Sequence, residues 1–183
     1  MKVGSIDLAP PFALAPMAGM TDTAFRRLVK RRGGCGLVVT EMVSSEGLVR
    51  GIDRTLEFAE FTEEERPVSI QIFGGDPVKM AAAAQIVEGM GADIVDVNMG
   101  CPVPKIAKHN AGCSLMREPE HAASVIAAIT SAACSGSRIR LQPALCFAIF
   151  GTGHPMLTST MSAPIASTIC AAAAIFSGSP PKI

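Results

Sequence analysis

Asn98-Met99-Gly100-Cys101-Pro102 brings an amide, a glycine and a thiol into one short stretch of chain. An apolar run, Ala92-Asp93-Ile94-Val95-Asp96-Val97, leads into it and reads as a buried strand with polar residues near its C-terminal end. Pro102 biases Cys101 toward an extended backbone. Gly100 lets the chain bend where a side chain would clash. A thiol is mostly protonated near neutrality, which suits a proton donor. The bland alternative is that Cys101 is a small buried hydrophobe, the usual fate of a free cysteine. At the C-terminal end of a parallel strand, the combination reads as a site rather than as core.

Other residues offer chemistry of their own. Gln71 is a polar side chain inside an apolar strand, and its amide presents both a donor and an acceptor to a ligand edge. Taken alone it is better explained as a core amide bonded to backbone. Asn98 offers the same pair, or caps the turn. Met17 and Phe73 suit a core as readily as a cofactor wall. Glu41 ends a strand and either acts as a carboxylate or orients the loop by hydrogen bonds; it stays outside the catalytic set. Lys105 and Lys108 follow the thiol loop and would meet phosphates, or simply be solvated. Arg26, Arg27, Lys30, Arg31 and Arg32 form a basic helix end that suits RNA or, equally, the helix dipole. Cys113 reads as structural and Cys35 as buried at a strand start.

The elements that must position these groups follow from the patterning. Phe12 to Gly19 reads as a strand running into a loop. Thr21 or Asp22 caps a helix from Thr23 to Arg32, with Phe25, Leu28 and Val29 as its apolar stripe and Gly33-Gly34 as its stop. Gly36 to Val43 is a second strand. A loop and helix span Ser44 to Phe58, with an acidic turn at Glu63-Glu64-Glu65. Pro67 to Phe73 is a third strand. Asp76 caps, and Pro77 opens, the helix Val78 to Met90. Ala92 to Val97 is the fourth strand, and a last helix starts near Glu118-Pro119 and runs through His121, Val125 and Ile129. Alternating strands and helices predict an α/β fold with a parallel sheet, its strands apolar on both faces. Polar groups follow each strand in turn, and no GxGxxG follows the first. That favours a (β/α)₈ TIM-barrel type over an open dinucleotide-binding sheet. The chain holds about four such units, roughly half of a barrel that typically needs about 250 residues.

Formal net charge is zero over 183 residues, so bulk electrostatics gives no argument for nucleic acid. The average hides a break: all 16 acidic residues, but only 13 of the 16 basic ones, lie at or before Ile129. Two regions are therefore expected, 1–129 as the half-barrel and 130–183 as a divergent tail. The six cysteines (Cys35, Cys101, Cys113, Cys134, Cys146 and Cys170) form no CxxC pair and no zinc spacing. The opening Met1 to Asp7 lacks the apolar core of a signal peptide. Reduced thiols in a cytoplasmic protein are expected. The apolar stretches Leu145–Phe150 and Ile165–Phe176 are too short to span a bilayer. Trp and Tyr are absent, so stacking on a base falls to Phe, His or a cofactor.

Four motifs, in order, carry a resemblance: Ala15-Pro16-Met17-Ala18-Gly19-Met20-Thr21-Asp22, Thr40-Glu41-Met42-Val43-Ser44, Gln71-Ile72-Phe73-Gly74, and Asn98-Met99-Gly100-Cys101-Pro102-Val103-Pro104-Lys105. Over residues 5–129 the chain resembles the tRNA-dihydrouridine synthases, the DusB-like bacterial branch most closely. The resemblance implies a flavin-dependent (β/α)₈ barrel followed by a small helical RNA-binding domain. It implies reduction of the C5–C6 double bond of uridine in tRNA, with FMN as cofactor and NADPH as its reductant. Carried over by position, Pro16, Met17 and Ala18 line the flavin, Gln71 bonds its polar edge, Asn98 lies beside flavin and uracil, and Cys101 is the acid. Lys105 joins Asn98 on the substrate side.

Beyond Ile129 the resemblance stops. The family's lysine in a Val-Lys-Met-Arg-like strand, its histidine in a Val-His-Gly-Arg-like strand and its glycine-rich phosphate loops have no counterpart in this sequence. His154 sits in Gly151-Thr152-Gly153-His154-Pro155, a different context. The tail is expected to reflect a reading-frame change or gene decay, with Arg138–Leu141 as a strand and Ile165–Phe176 as a helix. Little activity is expected from the chain alone. The rival readings are a non-catalytic fragment and another FMN barrel acting on a small enone or a dihydroorotate-like substrate.

Overall fold

Short apolar runs alternating with helical segments build a parallel sheet. The computed structural model describes residues 2–133 and 140–141. It opens with an antiparallel hairpin, β1 (Lys2–Val3) and β2 (Ile6–Asp7), which the patterning did not suggest because each strand is only two residues long. The order is then β3 (Ala13–Leu14), α1 (Thr23–Arg32), β4 (Leu37–Val39), β5 (Val43–Ser44), α2 (Ser45–Val49), α3 (Asp53–Ala59), β6 (Val68–Phe73), α4 (Pro77–Gly89), β7 (Ile94–Val97), α5 (Pro104–Ala107), α6 (Pro119–Ala133) and β8 (Arg140–Leu141). A 3₁₀ turn at Glu63–Glu65 precedes β6, and another at Gly112–Arg117 precedes α6.

The strands pair in parallel in the order β3-β4-β6-β7-β8, with β5 also on β6. Each strand joins on the same side as the one before it. A doubly wound sheet reverses direction at a switch point, whereas a barrel does not.

The second strand is not continuous, as its apolar run suggested. Three residues separate Val39 from Val43, but only two separate their partners Ser69 and Ile72. One extra residue is accommodated between β4 and β5, a bulge of the kind that re-aims side chains beside active sites. The Ser44–Phe58 segment likewise divides into α2 and α3, because the chain turns at Gly51, whose N–H reaches the Leu48 carbonyl. The strand expected in Arg138–Leu141 appears as β8, paired with β7 at Arg140 and Leu141; residues 138 and 139 lie outside the described residues. So does the helix expected at Ile165–Phe176. α6 runs on past Ile129 to Ala133.

The two faces of the sheet differ. Ile70, Ile72, Val95 and Val97 pack with Met80, Ala83, Val87, Ala122, Val125, Ile126 and Ile129, which places α4 and α6 on one side. The opposite face carries Leu37, Val39 and Ile94, which pack with Val3 and Leu8 of the N-terminal segment. Strands apolar on both faces were expected. Among the described residues the second face is instead covered at its lower end by the N-terminal segment, and it turns polar toward the strands' C-terminal ends.

α1 is capped by Asp22, whose carboxylate accepts from the Phe25 N–H at 2.8 Å. Its expected apolar stripe is only partly realised, because Leu28 is 62 % exposed. The inward position belongs to Arg26, which is fully buried. Its guanidinium donates to Glu65 Oε2, to the Thr21 carbonyl and to the Glu60 carbonyl, each at 2.6 Å. Glu65 also accepts from Thr23 Oγ1 at 2.6 Å and from the Thr62 N–H at 2.9 Å. This clasp ties α1 and the loop before it to the turn ahead of β6. No helix among the described residues is long and apolar enough to cross a membrane.

Removing one partner of a buried ion pair leaves the other charge uncompensated. Arg26→Met is therefore expected to cost about 3–5 kcal/mol in urea unfolding. Arg31→Ala, which breaks an exposed contact to Glu64, should leave the midpoint nearly unchanged.

Candidate functional site

Side chains two apart on a strand share a face, and neighbours in register on adjacent strands lie side by side. Asp96 and Asn98 are two apart, and Gln71 is in register with Asp96. The three therefore gather at the C-terminal end of β6 and β7, on the face opposite α4 and α6. All three are buried: Gln71 is 1 % exposed, Asp96 2 % and Asn98 4 %. Their polar atoms bond to one another. Gln71 Nε2 donates to Asp96 Oδ2 at 2.6 Å, and Asn98 Nδ2 donates to Gln71 Oε1 at 2.8 Å. Asn98 Oδ1 then accepts from the backbone N–H of Gly100 at 3.3 Å and of Cys101 at 3.0 Å.

The Cys101 turn is gripped from its other side as well. The Cys113 N–H donates to the Cys101 carbonyl at 3.0 Å. Gly112 has φ 59°, and a Cβ there would stand 2.6 Å from the Cys101 carbonyl oxygen. Only glycine combines that backbone with that approach. Cys101 itself is half-buried rather than packed in the core. Cys113 is half-buried and contributes backbone to the turn, in keeping with a structural role. Cys35, expected to be buried, is half-buried, with Sγ 2.9 Å from the Leu37 carbonyl oxygen, because it precedes β4 rather than entering it.

The loop after β3 is held separately. Met17 N–H donates to Thr21 Oγ1 at 3.0 Å, and Gly19 N–H donates to Glu41 Oε2 at 2.7 Å. Glu41 sits in the bulge between β4 and β5 and thus takes the loop-orienting part of its two readings. Next to it, Thr40 Oγ1 accepts from the Gln71 N–H at 3.3 Å. Pro16 and Met17 are half-buried and Ala18 is exposed, so this loop stands open at the same end of the sheet. Lys105 is exposed on the one-turn helix α5, just past the thiol turn. Phe73 ends β6 and is half-buried.

The structure thus brings Gln71, Asn98 and the Cys101 turn into one hydrogen-bonded chain. Pro16, Met17 and Ala18 connect to it through Gly19, Glu41 and Thr40. Lys105 has no hydrogen bond to the chain. The basic end of α1 is largely engaged within the protein. Arg26 forms the clasp, Arg27 and Arg31 pair with Glu64, and Lys30 Nζ donates to the Gly36 and Arg66 carbonyls at 3.3 and 3.1 Å. Burial lowers the Lys30 pKa. The dipole and packing reading of that helix end accounts for these contacts without RNA. No group of three or more His, Cys, Asp or Glu among the described residues is placed to hold a metal ion.

Asp96 and Gly112 had no role in the sequence reading. The signal for Asp96 was present: a carboxylate two residues before Asn98 in a strand otherwise apolar on that side. Its Oδ1 has no hydrogen-bond partner. Burial pushes its carboxyl pKa up, opposed by the Gln71 amide and the Val97 backbone N–H.

A family model described as "Dihydrouridine synthase (Dus)" matches residues 13–139. The match runs ten residues beyond Ile129, where the resemblance was expected to stop. A "Probable tRNA-dihydrouridine synthase" of Rhodobacter capsulatus is 46 % identical over 134 residues, covering 72 % of this chain and 41 % of the relative. A "tRNA-dihydrouridine synthase B" of Proteus vulgaris is 42 % identical, with coverage of 72 % and 41 %. Another, from Xanthomonas axonopodis pv. citri, is 41 % identical, with coverage of 72 % and 40 %. The chain spans about two-fifths of the length of these curated relatives.

Gly112→Ala places a Cβ against the Cys101 carbonyl and strains the left-handed backbone. It is expected to cost about 1–2 kcal/mol in urea unfolding and to speed alkylation of Cys101. Asp96 gives a pH signature. Its folded pKa is raised, so the folded protein holds this proton to higher pH than the unfolded chain. Stability from this group is therefore lost as pH rises through the folded pKa. Asp96→Asn removes that loss. Its melting temperature should exceed the wild type's at neutral pH, and the gap should shrink as pH falls toward about 4, the ordinary Asp range.

Proposed function

The chain belongs to the dihydrouridine synthase family, and from that premise we propose that it carries the thiol side of a flavin site reducing the C5–C6 double bond of uridine in tRNA. The observation that supports this most directly is the clamped, half-buried Cys101, held beside buried amides at the C-terminal end of a parallel sheet. In this reading the sheet is the first part of a (β/α)₈ barrel, and that end is where such barrels do chemistry. Residues 1–129 form the half-barrel and 130–183 the divergent tail. A tRNA substrate implies the cytoplasm as the compartment.

The residues present suit FMN. A flavin's polar edge alternates donors and acceptors. Gln71 uses one Nε2–H and one Oε1 lone pair within the protein, which leaves one of each for a ligand. Pro16, Met17 and Ala18 supply an open, largely apolar loop at the same end of the sheet. When bound and reduced by NADPH, FMN supplies the hydride for uracil C6. Cys101 Sγ–H gives its proton to C5, so one hydride and one proton saturate the bond. The resulting thiolate takes a proton back from solvent. Asn98 keeps the turn in place through the N–H groups of Gly100 and Cys101, and Lys105 meets a tRNA phosphate.

A general acid contributes about 10²–10⁴ in rate. Reconstituted with FMN and given NADPH and tRNA lacking dihydrouridine, the chain is expected to form little product, far less than a full-length relative. Cys101→Ala should lower that rate by about 10²–10⁴-fold while flavin affinity is unchanged. Mass spectrometry of the nucleosides reads the product. Equal product from the variant would remove Cys101 from the acid role, and turnover matching a full-length relative would refute the expected impairment.

A further inference from the structure

The hydrogen-bonded chain at the ends of β6 and β7 has a direction, and both of its ends are fixed. At one end are the N–H groups of Gly100 and Cys101, which can only donate. Asn98 must turn its oxygen to them, so its NH₂ faces Gln71. Gln71 must then present its oxygen to Asn98, so its own NH₂ faces β7. The group waiting there is Asp96 Oδ2, an acceptor, at 2.6 Å. An apolar side chain at residue 96 would leave a buried amide N–H unsatisfied, and nothing would hold the Gln71 amide against flipping. A flipped Gln71 would present NH₂ to NH₂ and push Asn98 off the turn.

We propose that Asp96 is a positioning residue for Cys101: its carboxylate oxygen fixes the orientation of the Gln71 amide, and through Asn98 it holds the backbone of the thiol turn. Oδ1 fits this role. It has no partner, so a proton resting there leaves Oδ2 free to accept from Gln71. The orientation therefore persists whether the carboxyl is charged or neutral. Its meaning for catalysis rests on the acid role proposed for Cys101, whereas the positioning itself does not.

The test needs no flavin and no tRNA. The full chain is alkylated with iodoacetamide across a pH range, and the rate at each cysteine is read by mass spectrometry. Cys35, which lies before β4 and makes no hydrogen bond to the thiol turn, serves as the internal reference. Asp96→Asn keeps an acceptor oxygen toward Gln71 and should leave the Cys101 pH–rate profile as in the wild type. Asp96→Leu removes the acceptor and should raise the Cys101 rate about fivefold, as expected for loss of one ordering hydrogen bond, with the Cys35 rate unchanged. Gln71→Met cuts the chain one link further on and should produce the same change, and Asp96→Leu added to it should produce no more. A native Cys101 profile in Asp96→Leu with a native Cys35 rate overturns the proposal, and so does additivity in the double variant. If Asp96→Leu fails to fold, which the Cys35 rate would show, a native profile in Gln71→Met overturns it alone. Equal tRNA product from Cys101→Ala in the earlier assay, with the thiol response as expected here, would instead defeat the functional reading and leave the positioning role standing.

Discussion

A buried amide side chain has two faces of opposite polarity, and each must find its complement. Gln71 and Asn98 meet that demand together, one donating to the other, with a carboxylate at one end and two backbone N–H groups at the other. Leaving any one of these groups unpaired would cost about 1–3 kcal/mol. The alternative to the whole set is an apolar core, which would hold the sheet together at least as well. A polar chain in this place is therefore poorly explained by stability. It is well explained as a way of fixing one particular backbone, the turn that carries Cys101.

The rest of the fold serves the same end of the sheet. The bulge between β4 and β5 turns Glu41 toward the Gly19 N–H and lets Thr40 accept from the Gln71 N–H. The Arg26–Glu65 clasp takes hold of the Thr21 carbonyl, and Thr21 in turn bonds Met17. The loop Pro16–Ala18 is thus anchored from below by α1 and from the side by the second strand. On the far side, Gly112 brings its backbone close enough for the Cys113 N–H to grip the Cys101 carbonyl. Three separate devices converge on the strand ends, while the opposite end of that face is filled by plain hydrophobes.

Much of this was legible in the sequence. The α1 range, the Asp76 cap with Pro77 behind it, β6 and the parallel order all follow from period, capping and alternation, which are local. The motifs also singled out Gln71, Asn98 and Cys101, which the coordinates link. What escaped was not local. The bulge changes register by one residue inside an uninterrupted β-branched run, and only pairing with β6 reveals it. Leu28 looked like core because it keeps helical spacing with Phe25, but Arg26 holds the inward position through partners as far off as Glu60 and Glu65. Asp96 was visible as a residue and invisible as a role, since its significance lies in the neighbour that register places beside it.

The contrast between the two thiols follows from the same geometry. Cys101 and Cys113 are both half-buried and lie within one backbone hydrogen bond of each other. Burial alone does not tell them apart. Their backbones do. Cys113 donates its N–H outward to the other loop and belongs to a 3₁₀ turn leading into α6. The Cys101 backbone is bonded on both sides: its N–H donates to Asn98 Oδ1 and its carbonyl accepts from the Cys113 N–H. A side chain whose own peptide groups are fixed at both ends has lost the freedom to swing its sulfur by backbone motion, and that loss is useful only if the sulfur has a fixed target. The residue so constrained, rather than the one doing the constraining, is the one to which the proposed function assigns the acid.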